Sequence, residues 1–238
     1  EFDIRNHFKL GPVKYHNVVA SIKGTKYPDE YVIISGHLDS YDVATGGIDC
    51  GTGIGPMMEA ARMIALSGAK PKRTILFVAF AGEEFGLLGA KSYVKTHAKE
   101  LGKIANLFNR DGGPTPPVGI SVPQAMYDDF VEVCKPVKEI RADYPFEVKV
   151  AKPFKRPTQS GGTDASVFAV EGVPTFGFNT QDIKGYNFSY GEIWHTERDL
   201  YTKNIPEYQE HAATVTAVVA LGIANLSKQL SREGMHKK

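Results

Sequence analysis

Thr74-Ile75-Leu76-Phe77-Val78-Ala79-Phe80-Ala81, followed at once by Gly82-Glu83-Glu84, is the stretch that decides the fold. Eight uncharged residues, rich in β-branched and aromatic side chains, predict a strand buried on both faces. Residues 17–22, 31–36 and 104–109 form comparable runs, and 146–150 and 175–179 read as further strands. Between them, apolar positions at helical spacing predict helices over 53–66, 87–101, 124–135, 164–170 and 206–230, the last with Pro206 at its start. Residues 186–192 read as an aromatic loop. Strands alternating with helices from end to end predict one three-layer α/β domain with a mixed, mostly parallel central sheet and helices on both faces. On this reading residues 1–238 form a single domain, with 1–16 as a lead-in and 231–238 as a polar tail.

The composition narrows the function classes. Across 238 residues, 28 Lys and Arg balance 27 Asp and Glu, so nothing favours a polyanionic partner such as nucleic acid. The apolar runs are too short or too broken to span a bilayer. With only Cys50 and Cys134 present, neither a disulfide framework nor a cysteine-built zinc site is expected.

In parallel sheets the chemistry sits beyond the carboxyl ends of the strands. The 31–36 run leads into His37-Leu38-Asp39, the 74–81 run into Gly82-Glu83-Glu84, and the 104–109 run into Arg110-Asp111. Residues 46–53, Gly-Gly-Ile-Asp-Cys-Gly-Thr-Gly, place Asp49 just ahead of a helix, and His195 lies in Trp194-His195-Thr196-Glu197-Arg198-Asp199. The glycine-rich stretch lacks both G-x-G-x-x-G and G-K-[ST], so it does not read as a nucleotide loop. Carboxylates converging on one sheet edge repel one another unless a cation joins them. Histidine and carboxylate ligands without thiolate suit Zn²⁺, with Mn²⁺ or Co²⁺ as substitutes.

These motifs, in this order, resemble the co-catalytic di-zinc exopeptidases of metallopeptidase family 28, over roughly residues 17–226. The resemblance implies the zinc-exopeptidase, phosphorylase/hydrolase-like fold and two Zn²⁺ ions. It implies that Asp49 bridges them, that His37 and Asp111 complete one site, and that Glu84 and His195 complete the other. Glu83 becomes the general base, and Asp39 orients His37. Tyr186 or Tyr190 could donate to the developing oxyanion. The chain departs from many relatives at Cys50, where they carry Asp, and at Thr163-Asp164-Ala165, where they often read Ser-Asp-His.

The expected substrate is a peptide or dipeptide. No Arg lies between Pro174 and His195, and Lys184 is the only cation there, so recognition of a free α-amine is expected, with Glu83 and Asp164 able to receive it. Phe178, Phe188, Tyr190 and Trp194 could line an apolar side-chain pocket. Two rivals share the fold: a glutaminyl-cyclase-like transferase with one zinc, and a binding module without catalysis. The family resemblance also suggests a secreted or periplasmic enzyme.

Overall fold

A computed structural model describes residues 2–5, 7, 9 and 11–237. At its centre β3 (Arg73–Phe80), buried at every position but one, lies between β1 (Val18–Ile22) and β2 (Tyr27–His37), and β4 (Ile104–Asn109) adds beyond β2. β2 is parallel to both β3 and β4, while β1 runs antiparallel to β3. Alternate residues face opposite ways, as a pleated strand requires. Val32 and Ile34 enter one core with α1 (Gly51–Leu66), α3 (Tyr127–Ile140) and α5 (Pro206–Ala224). Ile33 enters the other, with α2 (Leu88–Thr96) and α4 (Asp164–Val170).

Register aligns the strand ends. His37 pairs with Phe80, and Ser35 pairs with Asn109. Three residues past Phe80 stands Glu83, and two past Asn109 stands Asp111, so three loops leave one edge side by side.

The strand-rich half beyond β4 departs from expectation. β5 (Pro117–Pro123) was not foreseen: its terminal prolines and Gly119 read as breakers, yet it is the middle strand of β6 (Glu147–Ala151), β5 and β8 (Phe178–Thr180). Gly119 is required there, since a Cβ would sit 2.2 Å from the Glu147 carbonyl oxygen on the neighbouring strand. The expected 175–179 strand splits its pairing: Thr175 bridges Leu107 of β4, and Phe178 onward joins β5. That segment ties the two sheets together.

Both long helices end early. α2 stops at Thr96, and a separate 3₁₀ turn covers Leu101–Lys103. α5 stops at Ala224, although Leu230 is still buried. The tail is not simply polar: β9 (Met235–Lys237) pairs with β7 (Phe154–Lys155), because Met235 buries and His236 meets the Thr175 hydroxyl at 2.9 Å. No described helix is long and apolar enough to cross a membrane.

Candidate metal centre

His37, the last residue of β2, is almost wholly buried. Its Nε2 lies 2.9 Å from Asp49 Oδ1 and 3.3 Å from Asp111 Oδ1. Burial opposes charging this ring, but hydrogen bonds to Asp111 and Asp49 outweigh it and raise the pKa. On the other side, His195 Nε2 lies 2.9 Å from Glu84 Oε2 and 3.9 Å from Asp49 Oδ2. The two oxygens of one carboxylate thus face two histidines, each with a further carboxylate beside it. Burial would raise the Asp49 carboxyl, but His37 holds it below the usual range.

The loop carrying Asp49 is fixed from behind. The buried Asp199 carboxylate accepts the Ile48 amide at 2.7 Å and the Asp49 amide at 3.0 Å. Its carbonyl accepts from the Thr45 hydroxyl at 3.1 Å. The glycines of 46–53 serve this packing: a Cβ on Gly47 would lie 2.2 Å from the Leu200 backbone, and one on Gly53 would lie 2.2 Å from the Arg110 carbonyl oxygen. The half-buried Arg110 donates to the Thr52 and Thr115 carbonyls, and desolvation of its guanidinium lowers its pKa to about 10. Neither Asp199 nor Arg110 was singled out from sequence, although Asp199 closes the motif that holds His195.

Several expected site residues stand elsewhere or act differently. Asp39 meets His37 Nδ1 through its backbone carbonyl at 2.9 Å, while its carboxylate lies 3.8 Å from that nitrogen. That carboxylate instead accepts the Glu83 and Glu84 amides, each at 3.1 Å, so Asp39 shapes the turn carrying both acids. Tyr186 is not at the centre. It donates to Glu207, stacks edgewise on Tyr208, and belongs with Lys184 to a cluster at the start of α5. Asp164 is fully buried at the first turn of α4 and so cannot touch substrate directly. Tyr190 stands beside the Asp49 carboxylate; burial and that charge push its phenol up. Trp194 tilts against the His195 ring at 4.2 Å. Tyr41, not foreseen, stacks on the same imidazole at 4.4 Å and 7°.

Cys50 is buried, and its Sγ donates to the Arg110 carbonyl at 3.0 Å. It lies close enough to His37 and Asp111 to form a ligand trio with them. Burial raises its thiol, however, so the competing carboxylates are the better ligands.

The electrostatics fit a cation. Burial and Asp111 push the Glu83 carboxyl up to about 8, burial and neighbouring acids push Asp164 up to about 7, and burial with Asp49 raises Glu84. Glu84 Oε1 is buried without a hydrogen-bond partner. Crowded acids with an orphaned oxygen, beside two imidazoles, make a nitrogen–oxygen donor set suited to zinc. Three adjoining cavities of about 450, 390 and 330 Å³ share Asp111 as a wall, giving a substrate room on either side.

A layered α/β domain with a shared carboxylate between two histidine–carboxylate pairs presents a donor set that could hold metal ions. The chain belongs to peptidase family M28, whose profile matches residues 17–219. It is 32% identical to carboxypeptidase Q of Rattus norvegicus over 231 residues, covering 95% of this chain and 46% of that protein. The crystal structure of a peptidase M28 precursor from Shewanella amazonensis SB2B superposes with a TM-score of 0.75 at 33% identity, covering 90% of this chain and 46% of that one. BSAP, a zinc aminopeptidase from Bacillus subtilis, shares the fold with a TM-score of 0.66 at 21% identity, covering 93% and 53%. The chain spans about half the length of the curated relatives it matches.

Proposed function

We propose that this chain carries the catalytic unit of a zinc exopeptidase that removes N-terminal residues from peptides or dipeptides. The observation that supports this best is Asp49, whose two oxygens face His37 and His195 separately. On this reading two Zn²⁺ ions would be held, one by His37 and Asp111, the other by Glu84 and His195, with Asp49 available to both. When bound, zinc supplies Lewis acidity that lowers the pKa of water and polarises a carbonyl.

The chain's own groups then do the rest. Glu83, next in sequence to a ligand and lining the same cleft, takes a proton from the attacking water as the water oxygen bonds to the scissile carbon. It returns that proton to the leaving nitrogen as the C–N bond breaks. Tyr190, beside the Asp49 carboxylate, donates on this reading to the oxygen that gains charge. The Asp39 carboxylate keeps Glu83 in position through the amide it accepts. The acidic lining favours a free α-amine on the substrate.

A glutaminyl-cyclase-like reading with one zinc leaves His37 and Asp111 without a purpose, and a non-catalytic module leaves Glu83 without one. Zinc content near two equivalents, with hydrolysis of Leu-p-nitroanilide or a dipeptide reduced about 10²–10⁴-fold in Glu83→Gln, supports the proposal. Two bound metals with no peptide hydrolysis of any kind defeat it. A secreted or periplasmic location, suggested by the family resemblance, is tested by fractionating the native source.

A further inference from the structure

The cleft of about 330 Å³ that holds the metal centre carries one residue of the opposite charge. Asp49, Glu83, Glu84 and Asp111 line it, and among its lining residues Lys91 is the only lysine or arginine. Lys91 sits in the first turn of α2, exposed, and makes no ion pair with any described carboxylate; Glu84 is engaged by His195 instead. The same cleft is walled by Ser160, Gly161 and Gly162. Gly162 has φ +80°, and nothing lies within 4 Å of where its Cβ would be, so this wall is open backbone. The only internal bond among these groups runs from the Gly161 amide to Ser166 Oγ, which leaves the Ser160 hydroxyl and the Gly162 amide free as donors among the described residues.

A short peptide brings three polar groups into this cleft. Its amine suits the acids, and its scissile carbonyl suits the metal centre. A carboxylate has no counterpart among the groups assigned so far. Lys184, the only cation between Pro174 and His195, is tied to Glu207, and the lysine that lines the cleft comes from α2.

We infer that Lys91, with the Ser160–Gly162 turn, forms a subsite for a substrate carboxylate beside the scissile bond. The subsite deepens the exopeptidase reading and rests on it. The carboxylate comes either from a chain terminus directly after the scissile bond or from an acidic side chain there. An ammonium–carboxylate hydrogen bond is strong enough to discriminate by about ten-fold or more.

The test compares Leu-Gly, Leu-Gly-amide and Leu-Asp-amide on the zinc-loaded full chain and on Lys91→Met and Lys91→Arg. The expected result is a kcat/KM for Leu-Gly about ten-fold or more above its amide, expressed in KM. That ratio collapses toward one in Lys91→Met and is partly kept in Lys91→Arg. A preference for Leu-Asp-amide over Leu-Gly-amide, with none for Leu-Gly, places the side-chain carboxylate in the subsite. Equal rates for all three peptides, or a preference that survives Lys91→Met, overturn the subsite while leaving the peptidase reading intact. Calorimetric binding of Leu-Gly and its amide to zinc-loaded Glu83→Gln reads the same ratio without turnover. A preference there that depends on Lys91 upholds the subsite even where hydrolysis fails; equal binding rejects it.

Discussion

The two histidines of the centre are held by opposite means. His37 ends a central strand, its side chain 1% exposed, and both ring nitrogens are bonded within the fold. His195 stands in a loop, its side chain 32% exposed, at a left-handed φ of 57°. Its Nδ1 meets no hydrogen-bond partner among the described residues; Tyr41 and Trp194 steady the ring by stacking. Strand register builds the first half of the site, and packing of loops against loops builds the second. Metal affinity and stability should therefore divide unevenly between them.

The largest expected effect comes from His37→Ala, which removes a ligand and leaves Asp49 and Asp111 facing each other in a buried space. Both zinc ions are lost, hydrolysis falls to background, and the chain is destabilised by about 3–5 kcal/mol, measured by urea unfolding. His195→Ala abolishes hydrolysis too, but its partly exposed loop limits the stability loss to about 1 kcal/mol. Equal losses in the two variants break the comparison.

Asp199 links the halves, since it follows His195 by four residues and clamps the Asp49 amide. Asp199→Asn places an amide donor against a backbone N–H. Zinc affinity, read by competition with a chelator, falls about 10–100-fold. Unchanged affinity makes Asp199 a packing residue only.

The stacking claim is narrower. Tyr41→Ser loses about 0.5–1.5 kcal/mol of ring contact, which weakens the zinc at His195 by up to about ten-fold, and Tyr41→Phe restores it. Loss in both variants assigns the effect to the hydroxyl instead.

The smallest effect separates buried histidine as such from buried histidine as ligand. His211 on α5 is as buried as His37, but its Nε2 donates to the Pro117 carbonyl and its Nδ1 has no partner. Burial lowers its pKa from 6.5, so the unfolded chain takes up the proton first. The stability this neutral ring contributes is complete above about pH 6.5 and is lost as pH falls toward the folded value. The slope is at most about 1.4 kcal/mol per pH unit. Urea midpoints of His211→Gln should fall less steeply than wild type between pH 6.5 and 5. Parallel curves in the two proteins contradict this.

What could be read from sequence follows the same division. The 74–84 stretch and its neighbours made the central sheet legible, with His37, Glu83, Glu84 and Asp111 at its edge, because strand ends keep sequence and space in step. The roles of Asp49 and His195, in their loops, came instead from the family resemblance. Elements joined across long separations stayed hidden. Asp199 reaches Asp49 across 150 positions, Tyr41 reaches His195 across an even longer gap, and β5 disguises a middle strand between two prolines. The glycines of 46–53 lacked a nucleotide-loop pattern in sequence, but only their contacts show what they are for, a backbone approaching backbone. Asp164 carried a motif-like signal yet lies fully buried, since sequence gives no depth.

The shared carboxylate is the claim on which the rest depends, and zinc stoichiometry tests it most directly. Calorimetric titration of the metal-free chain should show about two zinc equivalents in wild type and one in His195→Ala, with His37 and Asp111 still able to hold it alongside Asp49. A single equivalent in wild type, or two retained in His195→Ala, would contradict a centre in which Asp49 serves two ions.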